Sequence, residues 1–282
     1  MRLLHGRPLA ERLAARSRER SEALEGRDIH PMLAAISVGI DAAANTYLQR
    51  LVRSGRSVGI TVRDVSLSRD ASEQTVMTEL DRVSRDRAVH GVLLLTPLPG
   101  KLDEGHLVDH IAAEKDVEGV NPYNVGLLLD GRPRFVPSTA EAIVELLKFH
   151  SVPLAGADVV VVGRSTVVGR PAAALLINED ATVTIAHKRT ADLATLTRRA
   201  AIVVVAVGRA GFLKGDMIAP GSTVVDAGIN MTPAGIAGDV DADSVASVAG
   251  ALSPVPGGVG TVTTALLLRN VLTAAEAQAA GG

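Results

Sequence analysis

Residues 159–171 read Val-Val-Val-Val-Gly-Arg-Ser-Thr-Val-Val-Gly-Arg-Pro, and this stretch decides the fold of the carboxy-terminal half. The run of valines predicts a buried parallel strand, and Pro171 suits the first turn of a helix. Gly163 and Gly169 bracket a turn whose backbone can approach a diphosphate, while the helix amino terminus offers N–H groups and partial positive charge. The spacing is G-x-S-x-x-x-G, so on the pattern alone a turn that needs glycine only for its dihedral angles stays an equal alternative.

The second strand of this half ends in a basic turn, Ala186-His-Lys-Arg-Thr190. Enzymes that bind NAD usually carry an acid here for the ribose hydroxyls. The chain instead has Lys188 and Arg189, which together with Arg164 could bind a 2′-phosphate. A solvated basic loop is the alternative. We expect a Rossmann-type domain over residues 137–264 with NADP, rather than NAD, as its cofactor.

Around this stretch, short β-branched runs alternate with amphipathic segments, which is typical of a parallel sheet covered by helices on both faces. The predicted strands are Leu33–Val38, Ile60–Val65, Val92–Leu95, Val159–Val162, Thr182–Ile185, Ile202–Val207 and Thr223–Val225. The predicted helices are Leu9–Leu24, Ala42–Arg56, Ser72–Arg85, Ala140–His150, Pro171–Asn178 and Gly260–Ala277. The stretch Asn121–Pro137 lacks a clear period and is predicted to be a linker.

The fold class is therefore α/β with two lobes and a cleft between them. Residues 1–136 and 265–282 are assigned to an amino-terminal α/β substrate domain, and residues 137–264 to the Rossmann-type parallel-sheet domain. The length of 282 residues agrees with two domains.

Composition excludes several classes of protein. The net charge of −2, with three Phe, two Tyr and no Trp, does not favour nucleic acid as a partner. No apolar run approaches the roughly 20 residues of a membrane span, so we expect no membrane partner. The chain has no cysteine, which excludes disulfides and fits a cytoplasmic location. No spacing of His, Asp and Glu predicts a metal site.

Three motifs together resemble the bifunctional methylenetetrahydrofolate dehydrogenase/cyclohydrolase family: residues 162–171, Asp226-Ala-Gly-Ile-Asn230 and Pro254-Val-Pro-Gly-Gly-Val-Gly260. The resemblance implies a homodimer that binds a folate-like small molecule in the cleft. It also implies that a carbon between two nitrogens loses hydride to the nicotinamide, and that water then opens the resulting methenyl cation. The cofactor-binding residues it implies are Gly163, Arg164, Ser165, Gly169, Arg170, His187, Lys188, Arg189, Val207, Gly208, Gly228, Ile229 and Thr261.

The chain departs from this family at its catalytic positions. Tyr47 is present, but the residue four positions later on the same helical face is Leu51, where the family pattern Y-x-x-x-K has its lysine. The glutamine position before Pro-Leu-Pro is Leu95, and the pterin-binding acid of D-V-D-G is Glu118. In the family that lysine moves protons during hydrolysis. Tyr47, Glu118, Leu51 and Leu95 are therefore the catalytic positions to examine, and we expect cyclohydrolase activity to be lost.

Three functions stay open from the sequence. The first is an NADP-dependent dehydrogenase acting on a CH–NH group in one-carbon metabolism. The second is an NADP-dependent reductase of another imine or aminal in a specialised biosynthetic pathway, for which Leu51 and Leu95 would form an apolar wall facing a nitrogenous ligand. The third is a catalytically silent dinucleotide-binding paralogue, although a silent protein need not keep a phosphate turn.

Overall fold

The structure is a computed structural model that describes residues 1–39, 42–100, 102–233 and 235–281. The strands are β1 Arg2–Leu3, β2 Met32–Val38, β3 Thr61–Leu67, β4 Gly91–Leu94, β5 Asp158–Val162, β6 Thr182–Ala186, β7 Ile202–Val205, β8 Thr223–Asp226, β9 Asn230–Thr232, β10 Gly235–Ala237 and β11 Ala251–Leu252. The helices are α1 Arg7–Glu25, α2 Ala42–Ser57, α3 Glu73–Arg85, α4 Glu104–Val108, α5 Pro122–Leu129, α6 Ser138–Phe149, α7 Gly169–Asn178, α8 Leu193–Thr197, α9 Ala242–Ala246 and α10 Thr263–Gly281.

The chain divides into two compact units. The amino-terminal unit comprises Arg12–Val136 and Thr264–Gly282, and the carboxy-terminal unit comprises Met1–Glu11 and Pro137–Thr263. The α/β class with two parallel-sheet lobes, predicted from the sequence, is confirmed.

The amino-terminal unit is built on a three-stranded parallel sheet in the order β3-β2-β4. The central strand β2 is almost wholly buried, as expected for a strand with parallel neighbours on both sides. One face packs against residues of α2 and α10, including Leu48, Leu51 and Leu267. The other face packs against residues of α3 and α4, including Leu80 and Leu107. The packing of Leu48 and Leu51 thus anchors α2 to this sheet.

The carboxy-terminal unit carries a six-stranded parallel sheet in the order β1-β11-β8-β7-β5-β6. Its central strands pair in register, with Val162 opposite both Ala186 and Val205, and Val205 opposite Asp226. The loops that follow these strands therefore leave the sheet at one edge. Ligands of such sheets bind at this edge, outside the carboxyl ends of the strands.

The compact units differ from the predicted domains at Met1–Glu11, which group with the carboxy-terminal unit. The reason is that β1 adds to the edge of the six-stranded sheet, where Arg2 pairs with Ala251 and Leu3 with Leu252. A strand of two residues has too short a pattern to be read from sequence.

The predicted linker Asn121–Pro137 is also corrected, because it contains helix α5. The Asn121 side chain accepts a hydrogen bond from the Tyr123 backbone N–H at 2.9 Å and caps the helix, while Pro122 occupies its first turn. The other predicted strands and helices are present, with ends displaced by a few residues. None of the helices in the described part of the chain is long and apolar enough to cross a membrane.

Candidate functional site

The turn between β5 and α7 is a compact cradle shaped by two glycines. Gly163 has a φ of +135°, and a β-carbon there would overlap the carbonyl oxygen of Ala206. A β-carbon on Gly169 would overlap the carbonyl oxygen of Gly163. The Ser165 hydroxyl accepts hydrogen bonds from the backbone N–H groups of Val168 and Gly169 at 3.2 and 3.3 Å. Ser165 thus supports the turn, and its own hydroxyl hydrogen is left for an anion.

The turn after β6 places basic side chains beside this cradle. Val162 and Ala186 are register partners, so the turns that follow β5 and β6 are neighbours. The His187 backbone N–H donates to the Thr190 hydroxyl at 2.9 Å, and His187 Nδ1 accepts from the Arg189 N–H at 3.2 Å, which closes the turn. The exposed basic side chains of these two turns and of the start of α7 are Arg164, Arg170, Lys188 and Arg189. No acidic residue lies between 186 and 191 of the sequence.

The loops after β7 and β8 lie at the same edge of the sheet. Val207 and Gly208 follow β7 directly, and Gly208 has a φ of +66°. Gly228 is buried after β8, whereas Ile229 is 66% exposed. Ile229 also lies near Gly260, the residue before Thr261. The structure thus brings the predicted cofactor residues of four separate loops to the carboxyl ends of one sheet.

The Thr261 hydroxyl is already engaged within its own turn. It donates to the Gly258 carbonyl oxygen at 2.6 Å in the short turn Val259–Thr261. A β-carbon on Gly6 would overlap this hydroxyl. Any contact of Thr261 with a cofactor would therefore come from its acceptor lone pairs or its methyl group.

Tyr47 and Glu118, in the amino-terminal unit, act on each other electrostatically. Tyr47 lies on α2 and is 37% exposed, while Glu118 is half-buried in the turn that follows Asp116. Burial and, to a smaller extent, the negative charge of Glu118 raise the pKa of Tyr47. The tyrosine is therefore a neutral hydrogen-bond donor over the physiological range of pH.

Leu51 and Leu95 do not form the apolar wall that the sequence suggested. The Leu51 side chain is 0% exposed and Leu95 is 5% exposed. Both belong to the core cluster that also contains Leu48, Phe135 and Leu267. The wall hypothesis is corrected for Leu51, because a side chain without accessible surface has none to offer a ligand in this conformation.

Comparison with known proteins decides the family. The family model described as "Tetrahydrofolate dehydrogenase/cyclohydrolase, NAD(P)-binding domain" matches residues 137–279, and the model of the catalytic domain of the same family matches residues 4–118. The chain belongs to the tetrahydrofolate dehydrogenase/cyclohydrolase family. It is 48% identical over 274 residues to the bifunctional protein FolD of Nocardia farcinica, covering 97% of each chain.

Solved structures of tetrahydrofolate dehydrogenase/cyclohydrolases agree with this assignment. The bifunctional FolD enzyme of Campylobacter jejuni superposes with a TM-score of 0.96 at 36% identity, covering 98% of this chain and 99% of that chain. The enzyme of Trypanosoma brucei, solved with NADP cofactor and an inhibitor, gives a TM-score of 0.93 at 34% identity and covers 98% of both chains. The NAD-dependent yeast enzyme, at 22% identity, shows likeness of fold alone.

Sequence reasoning missed two buried aspartates of this family member. Asp116 is 0% exposed, and its carboxylate accepts from the Asn121 backbone N–H and the Asn124 side chain, both at 2.8 Å. Burial raises the pKa of Asp116, although these hydrogen bonds oppose the shift. Aspartate and glycine in Asp-Val-Glu-Gly are turn residues, so the sequence did offer a signal for a turn at Asp116. The φ of +66° at Gly119 agrees with such a turn. Asp239, also 0% exposed, bonds to residues about thirty positions away, so no local signal existed.

Among the described residues, no group of three or more His, Cys, Asp or Glu side chains is placed to hold a metal ion.

Proposed function

We propose that this chain is an NADP-dependent dehydrogenase that removes hydride from the carbon between two nitrogens of methylenetetrahydrofolate, and that it has lost the cyclohydrolase step. The observation that carries the proposal is the contrast between an intact dinucleotide cradle and a fully buried Leu51 at the position of the motif lysine. Under this proposal residues 137–264 bind the cofactor, and residues 12–136 with 265–282 supply the substrate-binding groups.

The cradle fits a dinucleotide phosphate. Gly163 and Gly169 keep β-carbons out of the turn, so a diphosphate can approach the backbone at the start of α7. Arg164, Lys188 and Arg189 are exposed beside it and supply positive charge for a 2′-phosphate. NADP, when bound, supplies the acceptor of the hydride. The NADP complex of the Trypanosoma brucei relative supports this choice of cofactor.

Tyr47 and Glu118 provide the contacts for a nitrogenous ring. The carboxylate of Glu118 would anchor an N–H group or a protonated ring nitrogen. Tyr47, kept neutral by its raised pKa, would donate a hydrogen bond or lie against the flat ring. Both roles orient the donor carbon, which is the main requirement of a hydride transfer. Neither group replaces the amine that the resemblance assigns to hydrolysis.

The alternative reductase of another imine now has less support. It relied on two leucines facing the ligand, and Leu51 has no accessible surface while Leu95 has very little. The silent paralogue is disfavoured because the glycines of the cradle and the cations at its edge are all retained. The folate dehydrogenase is therefore the function that the site supports best.

The proposal is tested by mixing the protein with methylenetetrahydrofolate and either NADP or NAD, and following the absorbance of the reduced nicotinamide. We expect turnover of about 1 to 10³ per second with NADP and slower turnover with NAD. A set of cyclic imines with NADPH serves as the comparison. Turnover of an imine at such rates, with none on methylenetetrahydrofolate, would instead establish the alternative.

The resemblance also predicts a homodimer. Light scattering of the purified protein should give twice the mass of one chain over a range of concentrations. A value equal to one chain throughout that range would contradict the prediction.

A further inference from the structure

The carboxylate of Asp239 is a buried anion held by the backbone of a loop at the cofactor edge. Its Oδ2 accepts from the N–H groups of Val207 and Gly208 at 2.6 and 2.8 Å. Its Oδ1 accepts from the Arg209 N–H and from the Asn230 side-chain amide, both at 2.8 Å. The residue is 0% exposed, so these donors replace water completely. Each oxygen thus has two donors, and three of the four come from consecutive residues of one loop.

This loop lies directly against the phosphate turn. Ala206, the residue before it, has a carbonyl oxygen that a β-carbon on Gly163 would overlap. Its own backbone N–H donates to the Val162 carbonyl oxygen at 2.8 Å. A displacement of Val207–Arg209 would therefore act on the cradle as well as on the loop itself.

A second buried carboxylate holds Asp239 in place. Asp226, at the end of β8, accepts from the backbone N–H groups of Asp239 and Val240, each at 2.9 Å. Gly228 is needed for the same arrangement, because a β-carbon there would overlap the Asp239 carboxyl group. Gly228 is also one of the predicted cofactor-binding residues. In the structure the missing side chain of Gly228 also leaves room for the Asp239 carboxylate.

The sheet order indicates which half of the cofactor the loop would meet. Strand β5, with the phosphate turn, lies between β6 and β7. The β6 turn carries Lys188 and Arg189, the cations assigned to the 2′-phosphate. A dinucleotide that starts there and crosses the cradle reaches the β7 loop with its other half.

We propose that Asp239 is a positioning residue that holds the Val207–Arg209 loop in the shape required by the nicotinamide half of the dinucleotide. The inference rests on the proposed use of NADP. It adds a residue that does not itself touch the cofactor and acts only through the backbone of the loop.

The test compares Asp239→Asn with the unaltered protein by calorimetry, using two ligands: NADP and 2′,5′-ADP, which lacks the nicotinamide half. In the variant an NH₂ group must face N–H donors on one side, so the loop loses its hydrogen bonds there. We expect the dissociation constant of NADP to rise at least about tenfold and that of 2′,5′-ADP by less than about twofold.

The control is Asp241→Asn, which removes a carboxylate two positions away. Asp241 accepts from the Ser244 backbone N–H at 3.3 Å and caps α9, whereas the N–H groups of Val207–Arg209 donate to Asp239. We expect it to leave the ratio of the two dissociation constants unchanged and to have little effect on the melting temperature, because asparagine caps a helix about as well as aspartate. Where Asp239→Asn does not fold, Asn230→Ala removes one donor to Asp239, and we expect the same selective loss at about two- to fivefold.

Equal weakening of both ligands in the folded variant, or no weakening of either, would overturn the assignment of Asp239. If the unaltered protein bound 2′,5′-ADP but not NADP, the inference would fail with the proposed function. If the unaltered protein bound NADP normally and Asp239→Asn left both dissociation constants unchanged, the inference would be overturned. The proposed function would then still stand.

Discussion

The proposed function assigns the separation of the two activities to a single side chain, at position 51. A leucine there is fully buried and contributes about 1.5–3 kcal/mol to folding through the burial of its apolar surface. A lysine in the same conformation would have to bring its ammonium group out of the core or lose its charge. Burial at this position therefore favours leucine over a charged amine.

The first prediction concerns the stability effect of this exchange. Leu51→Lys should lower the free energy of unfolding by at least about 2 kcal/mol, because it removes buried apolar surface and places an amine in the core. Leu51→Met, which keeps the volume, should cost less than about 1.5 kcal/mol. Urea denaturation measures both. A lysine variant as stable as the methionine variant would show that position 51 has room for the amine.

The second prediction concerns Tyr47, for which Tyr123, 61% exposed, is a natural control because the chain has only two tyrosines. Tyr47→Phe should lower kcat/KM for methylenetetrahydrofolate by about tenfold through the loss of one hydrogen bond. Tyr123→Phe should leave it unchanged. Steady-state kinetics of both variants measure these values. If kcat/KM fell equally in the two variants, or in neither, Tyr47 would not belong to the substrate site.

The raised pKa of Tyr47 adds a prediction for pH dependence. The protonated phenol is the form present below its pKa, and burial together with the charge of Glu118 moves that pKa upward. Raising the pH from 6 to 9 should therefore cause no loss of rate that is specific to Tyr47. The profiles of the wild-type protein and Tyr47→Phe should run parallel over this range, and a fall confined to the wild-type profile would contradict the assignment.

The next prediction tests the choice between NADP and NAD. Arg189→Ala should weaken NADP by about tenfold or more, since a charge-assisted hydrogen bond contributes about 1.5 kcal/mol or more. It should leave NAD within about twofold. Arg199→Ala makes the same change in net charge on an exposed residue near the amino end of β7, at the opposite edge of the sheet. Calorimetry measures both affinities. If the two variants lost the same affinity for NADP, the effect would come from the net charge of the protein and not from a contact of Arg189.

At the scale of elements, the strand–turn–helix of β5 and α7 is the part that the function requires most strictly. Gly169→Ala should open the turn, because its β-carbon would overlap the Gly163 carbonyl oxygen. We expect NADP binding to weaken by at least about tenfold and kcat/KM to fall with it. Cofactor titration by nicotinamide fluorescence measures the effect.

Gly126→Ala is the matched control for that change. Gly126 lies within α5 and has nothing within 4 Å of its would-be β-carbon. Alanine there should stabilise the protein by about 0.5–1 kcal/mol and leave cofactor binding unaltered. Unchanged NADP binding in Gly169→Ala would mean that the turn has more freedom than the overlap indicates.

The elements also show what the sequence could and could not predict. The phosphate turn was predictable because its strand, glycines and helix start are contiguous. Helix α5 was missed because its eight residues lack an amphipathic period, although Asn121 and Pro122 form a normal helix start. The role of Asp239 was not predictable, since its hydrogen-bond partners Val207–Arg209 come together only when the sheet forms.

At the scale of the whole molecule, neither unit is one continuous stretch of the chain, because each contains one terminal segment from the opposite end of the sequence. Strand β1, at the amino terminus, completes the sheet of the carboxy-terminal unit, and α10, at the carboxy terminus, packs in the amino-terminal unit. The sequence pattern predicted a closing helix over Gly260–Ala277, and residues 265–282 were assigned to the amino-terminal domain. A two-residue strand gives no such pattern, so the placement of β1 required the structure.

The central claim is that this family member carries out the oxidation and has lost the hydrolysis. The most direct measurement incubates the enzyme with methylenetetrahydrofolate and NADP and follows reduced nicotinamide and methenyltetrahydrofolate together by their absorbance, with the bifunctional Campylobacter jejuni enzyme as the positive control. We predict that methenyltetrahydrofolate accumulates in step with reduced nicotinamide and then decays at the rate of the buffer alone, because loss of the proton-transfer group costs about 10²- to 10⁴-fold in hydrolysis. Decay to the formyl product well above that of the buffer would contradict the account.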